Sequence, residues 1–266
     1  MKSFLKWAGN KHRIIEQIKA CLPSAKRLIE PFIGSATVFL NTPYPSYLLA
    51  DSNRDLIQLY QYLQLEGQCF INYCRVFFDP FFNSPEEFYR LRRLFNESKE
   101  NRIRAALLLY LNKHCFNGLA RFNQKGQFNT PFSYYKFPYF PEKEMIFFHE
   151  QSKKAQIIHA DFSSTLTLAK YGDVVYCDPP YVGLSKTANF THYTADGFNQ
   201  TQQINLANMA KILAAKGITV VISNHDTEFT RDIYQAAKLI PLSVQRNISS
   251  KGAKRGKAAE ILAIFQ

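Results

Sequence analysis

The 266-residue chain lacks most of the signals that settle a protein's class at a glance. Its five cysteines, Cys21, Cys69, Cys74, Cys115 and Cys177, are odd in number, and no two stand in C-x-x-C spacing. That argues against a disulfide framework and a cysteine-built zinc site, and it fits a reducing compartment. No metal site is expected. No apolar run reaches the length that crosses a bilayer. Residues 1–13, MKSFLKWAGNKHR, contain no apolar secretory core, so a cytoplasmic protein without a membrane partner is expected. Acidic residues are scarce, with 21 Asp and Glu against 33 Lys and Arg, and the net charge is +12. Such an excess favours a polyanionic partner, and nucleic acid comes first once membranes are set aside. Aromatics, by contrast, are plentiful: 23 Phe and 15 Tyr can build a dense core and leave rings for stacking on bases.

The hydrophobic pattern divides the chain. Residues 27–33 read as extended and end at Gly34, and residues 35–41 have helical composition. A second strand over 47–50 ends at Asp51, and Asn53 can cap a helix over 56–65. This β-turn-α-β-α opening belongs to a doubly wound α/β sheet. Residues 67–150 differ, being rich in Phe, Tyr, Arg and Asn with few strand signals. A helix over 102–114 is expected there, with an apolar stripe at Ile103, Leu107, Tyr110 and Leu111. The α/β pattern resumes with strands at 156–159, 173–177 and 218–223 and a helix at 202–215, and residues 240–246 and 259–265 read as a hairpin pair. The expected architecture is a Rossmann-like doubly wound sheet formed by residues 1–66 and 151–266, with residues 67–150 as a mostly helical insertion.

Two clusters carry chemistry. Glu30-Pro31-Phe32-Ile33-Gly34 lies where the first strand turns, and Gly34 lets a ligand approach the backbone. Asp51, ending the next strand, is placed to accept ribose hydroxyls. G-x-G-x-x-G is absent, so a nucleoside without a pyrophosphate fits better than a dinucleotide, and S-adenosylmethionine is such a ligand. The second cluster is Asp178-Pro179-Pro180-Tyr181, directly after a buried strand. Two prolines cannot continue a sheet, so the chain turns out at the strand's C-terminal end. Adenine N6 is a poor nucleophile because its lone pair is delocalised into the ring. A carboxylate from Asp178 and the carbonyl of Pro179, each accepting an N6–H bond, would favour a pyramidal amine. Tyr181 could stack on the extruded base. The tetrapeptide alone does not separate DNA from RNA, or adenine N6 from cytosine N4.

These residues sit within longer stretches: FLKWAGNKHR at 4–13, EPFIGSATVFLN at 30–41, LLADSNRDLI at 48–57, FNGLARFNQKGQFNTPF at 116–132, VVYCDPPY at 174–181, TANFTHY at 187–193, ISNHDT at 222–227 and NISSKG at 247–252. In that order they resemble the Dam family of bacterial DNA adenine methyltransferases, alpha group, and within it the stand-alone members acting on GATC. The resemblance implies a base-flipping enzyme that moves a methyl group from S-adenosylmethionine to adenine N6 in double-stranded DNA. It implies a cofactor pocket of Trp7, Ala8, Gly9, Lys11, Glu30, Phe32, Gly34, Asp51, Asp161, Phe162 and Asp178, and a catalytic run of Asp178, Pro179, Pro180 and Tyr181. It makes the insertion a target-recognition domain. DNA contacts are implied for Lys6, Phe116, Asn117, Leu119, Arg121, Asn123, Pro131, Tyr135 and Asn189. Among them Phe116 would fill the space left by the flipped adenine. Arg121 would bond guanine O6 and N7, and Leu119 with Pro131 would meet a thymine methyl. Lys251, Lys254, Arg255 and Lys257 form a basic loop suited to phosphates. Three positions depart from the family pattern: Asn10 and Ala36 stand where glycines are usual, and Tyr134 stands where close relatives carry arginine. A monomer is expected. Methyl marking for replication, mismatch repair or gene regulation is the expected role. Rival readings are the modification partner of a restriction endonuclease encoded nearby, an rRNA adenine or guanine methyltransferase, and a catalytically dead DNA-binding module.

Overall fold

A computed structural model describes residues 1–181, 198–245 and 257–266. Asn189, Lys251, Lys254 and Arg255 lie outside the described residues. Among the described residues, seven strands form one sheet: β1 (Arg27–Glu30), β2 (Ser46–Asp51), β3 (Ala155–His159), β4 (Asp173–Cys177), β5 (Thr219–His225), β6 (Lys238–Gln245) and β7 (Lys257–Phe265). Their order is β3-β2-β1-β4-β5-β7-β6. The β3-β2-β1-β4-β5 ladders are parallel, and β7 runs antiparallel to both β5 and β6. The chain is therefore a Rossmann-like α/β protein whose strand order reverses between β1 and β4. Ligands of open α/β sheets bind at such a reversal, outside the carboxyl ends of the strands.

Helices cover both faces. Alternate residues of one strand feed opposite layers, as the period of two requires. Leu28, Leu49, Val174, Tyr176 and Val221 join one core. Ile29, Leu48, Val175, Val220 and Ile222 join the other. The second core is closed by α7 (Phe162–Leu166), α8 (Gln200–Ala215) and α9 (Glu228–Ile233), through residues such as Leu166, Leu206 and Ile233. The first lies under α1 (Ile15–Cys21), α2 (Arg54–Glu66) and α6 (Glu142–Ser152), and it continues into α3 (Gln68–Val76), α4 (Pro85–Glu97) and α5 (Asn101–His114). Asn53 caps α2, its side chain accepting from the Leu56 amide at 3.1 Å.

Two local expectations are corrected. The helix α5 shows no single apolar stripe: every residue from Ala105 to His114 is buried, while Ile103 is only half-buried. It packs on α2, and the rings of α3 and α4 wrap it, so it is a central helix buried all round. Residues 35–41 are not a regular helix. Ala36 adopts φ +60°, which breaks the helical path, and only Phe39–Asn41 form a 3-10 turn. A left-handed alanine costs about 1–2 kcal/mol. Its fully buried methyl group in the first core offsets part of that cost. Asn10, the other glycine replacement, keeps a negative φ and takes up polar contacts instead. Its Nδ2 donates to Ser35 Oγ at 3.3 Å, and its Oδ1 accepts from the His12 amide at 2.8 Å.

Candidate active site

The carboxyl ends of β1, β2 and β4 bring Glu30, Asp51 and Asp178 to one edge of the sheet. Gly34 turns the chain there with φ +44°. Its amide donates to Asp51 Oδ2 at 3.1 Å, and its carbonyl accepts from the Tyr60 hydroxyl at 2.6 Å. A Cβ on Gly34 would stand 3.3 Å from Trp7, so the indole would have to give by a few tenths of an ångström to admit it. Asp51 Oδ1 also accepts from the Asn53 amide at 2.9 Å. Burial lifts the Asp51 carboxyl above its ordinary range despite these bonds.

Between β1 and β4 lies an ion cluster. Lys11 Nζ is 2.8 Å from Asp178 Oδ1, which also accepts from Ser223 Oγ at 3.0 Å. Lys11 Nζ donates to the Gly9 carbonyl as well, at 2.8 Å. Burial alone would lower the Lys11 ammonium, but Asp178 and neighbouring Tyr176 bring it above its ordinary value. The Asp178 carboxyl is raised by burial, with Lys11, Ser223 and Tyr181 opposing. Glu30 is only 2% exposed. Burial first, and then the like charge of Asp178, push its carboxyl well above the usual carboxylate range. Its Oε1 is a buried acceptor with no hydrogen-bond partner among the described residues. A buried polar atom left without a partner costs about 1–3 kcal/mol.

Tyr181 sits over this cluster. Lys11 Nζ lies 4.5 Å from its ring centroid, His225 meets the ring edge-on at 4.7 Å, and its hydroxyl donates to Glu260 Oε2 at 3.1 Å. The Pro180 carbonyl accepts from Gln203 Nε2 at 2.8 Å. Beyond β1 and β3, Phe32 and Phe162 stack at 5.6 Å, and Phe198 packs edge-on against both. Asp161 caps α7. It accepts from the amides of Ser163 and Ser164, and bonds to their hydroxyls help hold its carboxyl down at about 2. Ala8 and Gly9 are exposed in the turn before Lys11.

The remaining predicted residues gather at the C-terminal end of α5. Phe116, 52% exposed, opens a 3-10 turn in which Asn117 takes φ +55°. The Phe116 amide donates to the Pro131 carbonyl at 2.9 Å, which places Phe116 and Pro131 side by side. Leu119 is half-buried, and its carbonyl accepts from Thr130 Oγ1 at 2.6 Å. Arg121 is exposed, with Nε donating to Asn129 Oδ1 at 2.8 Å. Asn123 spends its side chain on its own turn, accepting from the amides of Lys125 and Gln127 and donating to Gln127 Oε1, each at 3.0 Å. Lys6 Nζ lies 4.8 Å from the Tyr135 ring centroid. Tyr134 is exposed and packs edge-on against Phe132 at 5.2 Å. Buried Lys113 is pulled down to about 8, by burial and then by the charge of Lys6.

Sequence reasoning missed Asn112, which joins this face to the N-terminal segment. It is fully buried in α5. Its Oδ1 accepts from the Lys6 amide at 2.9 Å, and its Nδ2 donates to the carbonyls of Lys6 at 2.7 Å and Gly118 at 3.0 Å. Gly118 lacks a Cβ where one would collide with Lys6. Asn112→Ala is expected to destabilise the fold by about 2–4 kcal/mol through these orphaned groups. Urea unfolding reads this, and a loss under 1 kcal/mol would contradict it. Ser223, Gln203, Glu260 and Phe198 were missed too. For Ser223, Gln203 and Glu260 the one available signal was a polar residue interrupting an otherwise apolar strand or helix pattern, and for Phe198 there was none.

Comparisons with known proteins show the family of the chain. A model of the "D12 class N6 adenine-specific DNA methyltransferase" family matches residues 7–248. The DNA adenine methylase of Serratia marcescens is 47% identical over 266 residues, covering 100% of this chain and 98% of its own. That of Vibrio cholerae serotype O1 (strain ATCC 39541 / Classical Ogawa 395 / O395) is 46% identical, over 99% of this chain and 96% of its own. That of Escherichia coli (strain K12) is 45% identical, over 100% of this chain and 95% of its own. The chain belongs to the D12 class of N6 adenine-specific DNA methyltransferases.

Proposed function

We propose that this DNA adenine methyltransferase uses S-adenosylmethionine and modifies a flipped-out adenine within GATC. The observation that carries the reading is the meeting of Glu30, Lys11 and Asp178 at the reversal between β1 and β4, with D-P-P-Y leaving the same edge. The residues there fit the cofactor. The partnerless Glu30 Oε1 suits a cationic amino group, Asp51 retains acceptor capacity for ribose hydroxyls, and Phe32 and Phe162 offer apolar rings. When bound, S-adenosylmethionine supplies an activated methyl on sulfur.

The chain's own residues do the rest. Asp178, anchored by Lys11 and Ser223, accepts one N6–H of the target adenine, and the Pro179 carbonyl accepts the other. The amine lone pair then points along the line of transfer. The amine proton becomes acidic as the methyl arrives, so positioning and charge placement carry most of the rate. Tyr181, held at its hydroxyl by Glu260, offers a stacking ring.

Residues 67–150 act as the target-recognition domain in this reading. Phe116 enters the base stack, Arg121 reads a guanine, and Lys6, Asn117, Leu119, Pro131 and Tyr135 contribute contacts on the same face. No helix among the described residues is long and apolar enough to cross a membrane. A monomer working in the cytoplasm as a solitary marker of replication, repair or gene regulation is the simplest form. Expression in cells lacking adenine methylation tests the reading directly. Their DNA should become sensitive to an endonuclease cutting only methylated GATC and resistant to one cutting only unmethylated GATC. An unchanged digestion pattern would refute it. Arg121→Ala is expected to weaken discrimination at one guanine by about 1–3 kcal/mol, read as kcat/KM on duplexes substituted at that position. Equal discrimination by variant and parent would remove that role.

A further inference from the structure

We propose that Gln203, buried on α8, is a positioning residue for methyl transfer: it turns the Pro180 carbonyl into the protein and leaves the Pro179 carbonyl to face the target amine. The proposal rests on the reading of Asp178 and Pro179 given above.

The argument begins with the two prolines. Neither has an N–H, so this turn carries backbone acceptors and few donors, and it cannot hold itself by ladder bonds. A donor must come from elsewhere. Gln203, 1% exposed, supplies it: Nε2 donates to the Pro180 carbonyl at 2.8 Å. A carbonyl only accepts, so the nitrogen end of the amide must face it. The other end is used too, with Gln203 Oε1 accepting from Asn224 Nδ2 at 3.0 Å. Asn224 is also fully buried. Its Nδ2 donates to the Tyr234 hydroxyl at 3.0 Å, and its Oδ1 accepts from the His225 amide at 2.9 Å.

Three buried side chains, from α8, from β5 and from the residue after α9, thus form a hydrogen-bonded chain whose Gln203 end holds the Pro180 carbonyl. Each amide is satisfied at both ends, which fixes its orientation. A polar chain of this kind in an apolar layer is costly unless complete, and completeness makes it rigid. Nothing among the described residues donates to the Pro179 carbonyl. The tether therefore decides which of two adjacent acceptors is available to N6. It acts on the orientation of the amine, and so on kcat, more than on the binding of either substrate.

Two full-length variants of equal volume separate this role from packing. Gln203→Met removes both hydrogen bonds. Gln203→Glu keeps the acceptor for Asn224 and, in alkaline buffer where the carboxyl is ionised, offers Pro180 no donor. Both are expected to lower single-turnover kcat by roughly tenfold or more, while KM for duplex DNA and the affinity for S-adenosylhomocysteine stay within about twofold. A Met variant with parental kcat would show that only packing matters. A Glu variant with parental kcat beside an impaired Met variant would show that only Asn224 needs satisfying. Either result overturns the proposal, and so does a parallel loss of affinity for both substrates. A crystal structure of the parent protein with S-adenosylhomocysteine and duplex DNA serves independently of any folding defect. It should place the Pro179 oxygen, and not that of Pro180, within hydrogen-bond reach of N6. Asp178→Ala is the control. If it is inactive while the Gln203 variants are normal, only the tether fails. If it is active, the reading of the corner itself fails.

Discussion

Asp178→Ala is expected to lower kcat for methyl transfer by at least about 100- to 1,000-fold, the loss seen when one preorganised polar group is removed from a reacting centre. The fold should survive at lower stability, because the buried Lys11 ammonium loses its carboxylate partner. Asp178 lies after β4 and outside both cores, and the Lys11 ammonium keeps the Gly9 carbonyl and the Tyr181 ring as partners. Asp178→Asn retains an acceptor for N6–H and for Ser223, so it should keep more activity than the alanine variant. Transfer of a labelled methyl group to duplex DNA, with thermal melting as the control for folding, checks both statements. Near-parental turnover in a folded alanine variant would contradict the assignment.

Glu30→Gln is expected to weaken cofactor binding by roughly 10- to 100-fold, since a hydrogen bond to a charged group contributes about 1.5–3 kcal/mol. The sign of the pH dependence follows from the raised carboxyl. Folded Glu30 holds a proton over a range in which the unfolded chain, near the ordinary value of 4.5, has lost it. Its contribution to stability is therefore fully present below 4.5 and is lost as pH rises through the folded value. A cationic ligand favours the ionised form, so its affinity should increase with pH over the same window. Asp178 and Asp51 are raised by burial as well, so the parent's slope is a sum. Calorimetric titration with cofactor at several pH values should show a shallower slope in the glutamine variant. An unaltered affinity and slope would remove Glu30 from the pocket.

The parts of the fold legible in the sequence were those where one pattern repeats along one element. Val174, Val175 and Tyr176 form an apolar run stopped by two prolines, and Asn53 precedes a periodic helix; both signals are local. Ala36 was misleading because helix propensity cannot register a left-handed turn imposed by the Gly34 cradle. The fully buried surface of α5 was hidden because its polar residues, Asn112, Lys113 and His114, look solvent-facing until the insertion is wrapped around them. The same blindness covers the site. Glu30, Asp51 and Asp178 end strands and stand out. Gln203, Ser223, Asn224 and Glu260 lie inside apolar elements, and only the sheet order brings them near D-P-P-Y.

That order also has a consequence for biosynthesis. The strand inserted between β5 and β6 is β7, the seventh to emerge from the ribosome, and it brings Glu260 to the Tyr181 hydroxyl. Until it docks, the nascent sheet exposes the edge of β5 and leaves β6 without its partner, a state prone to pairing with other chains. A chain ending shortly before residue 257 would thus keep most of its core and lack the Glu260 contact to the Tyr181 hydroxyl. Glu260 reaches the Tyr181 hydroxyl only once β7 has docked between β5 and β6.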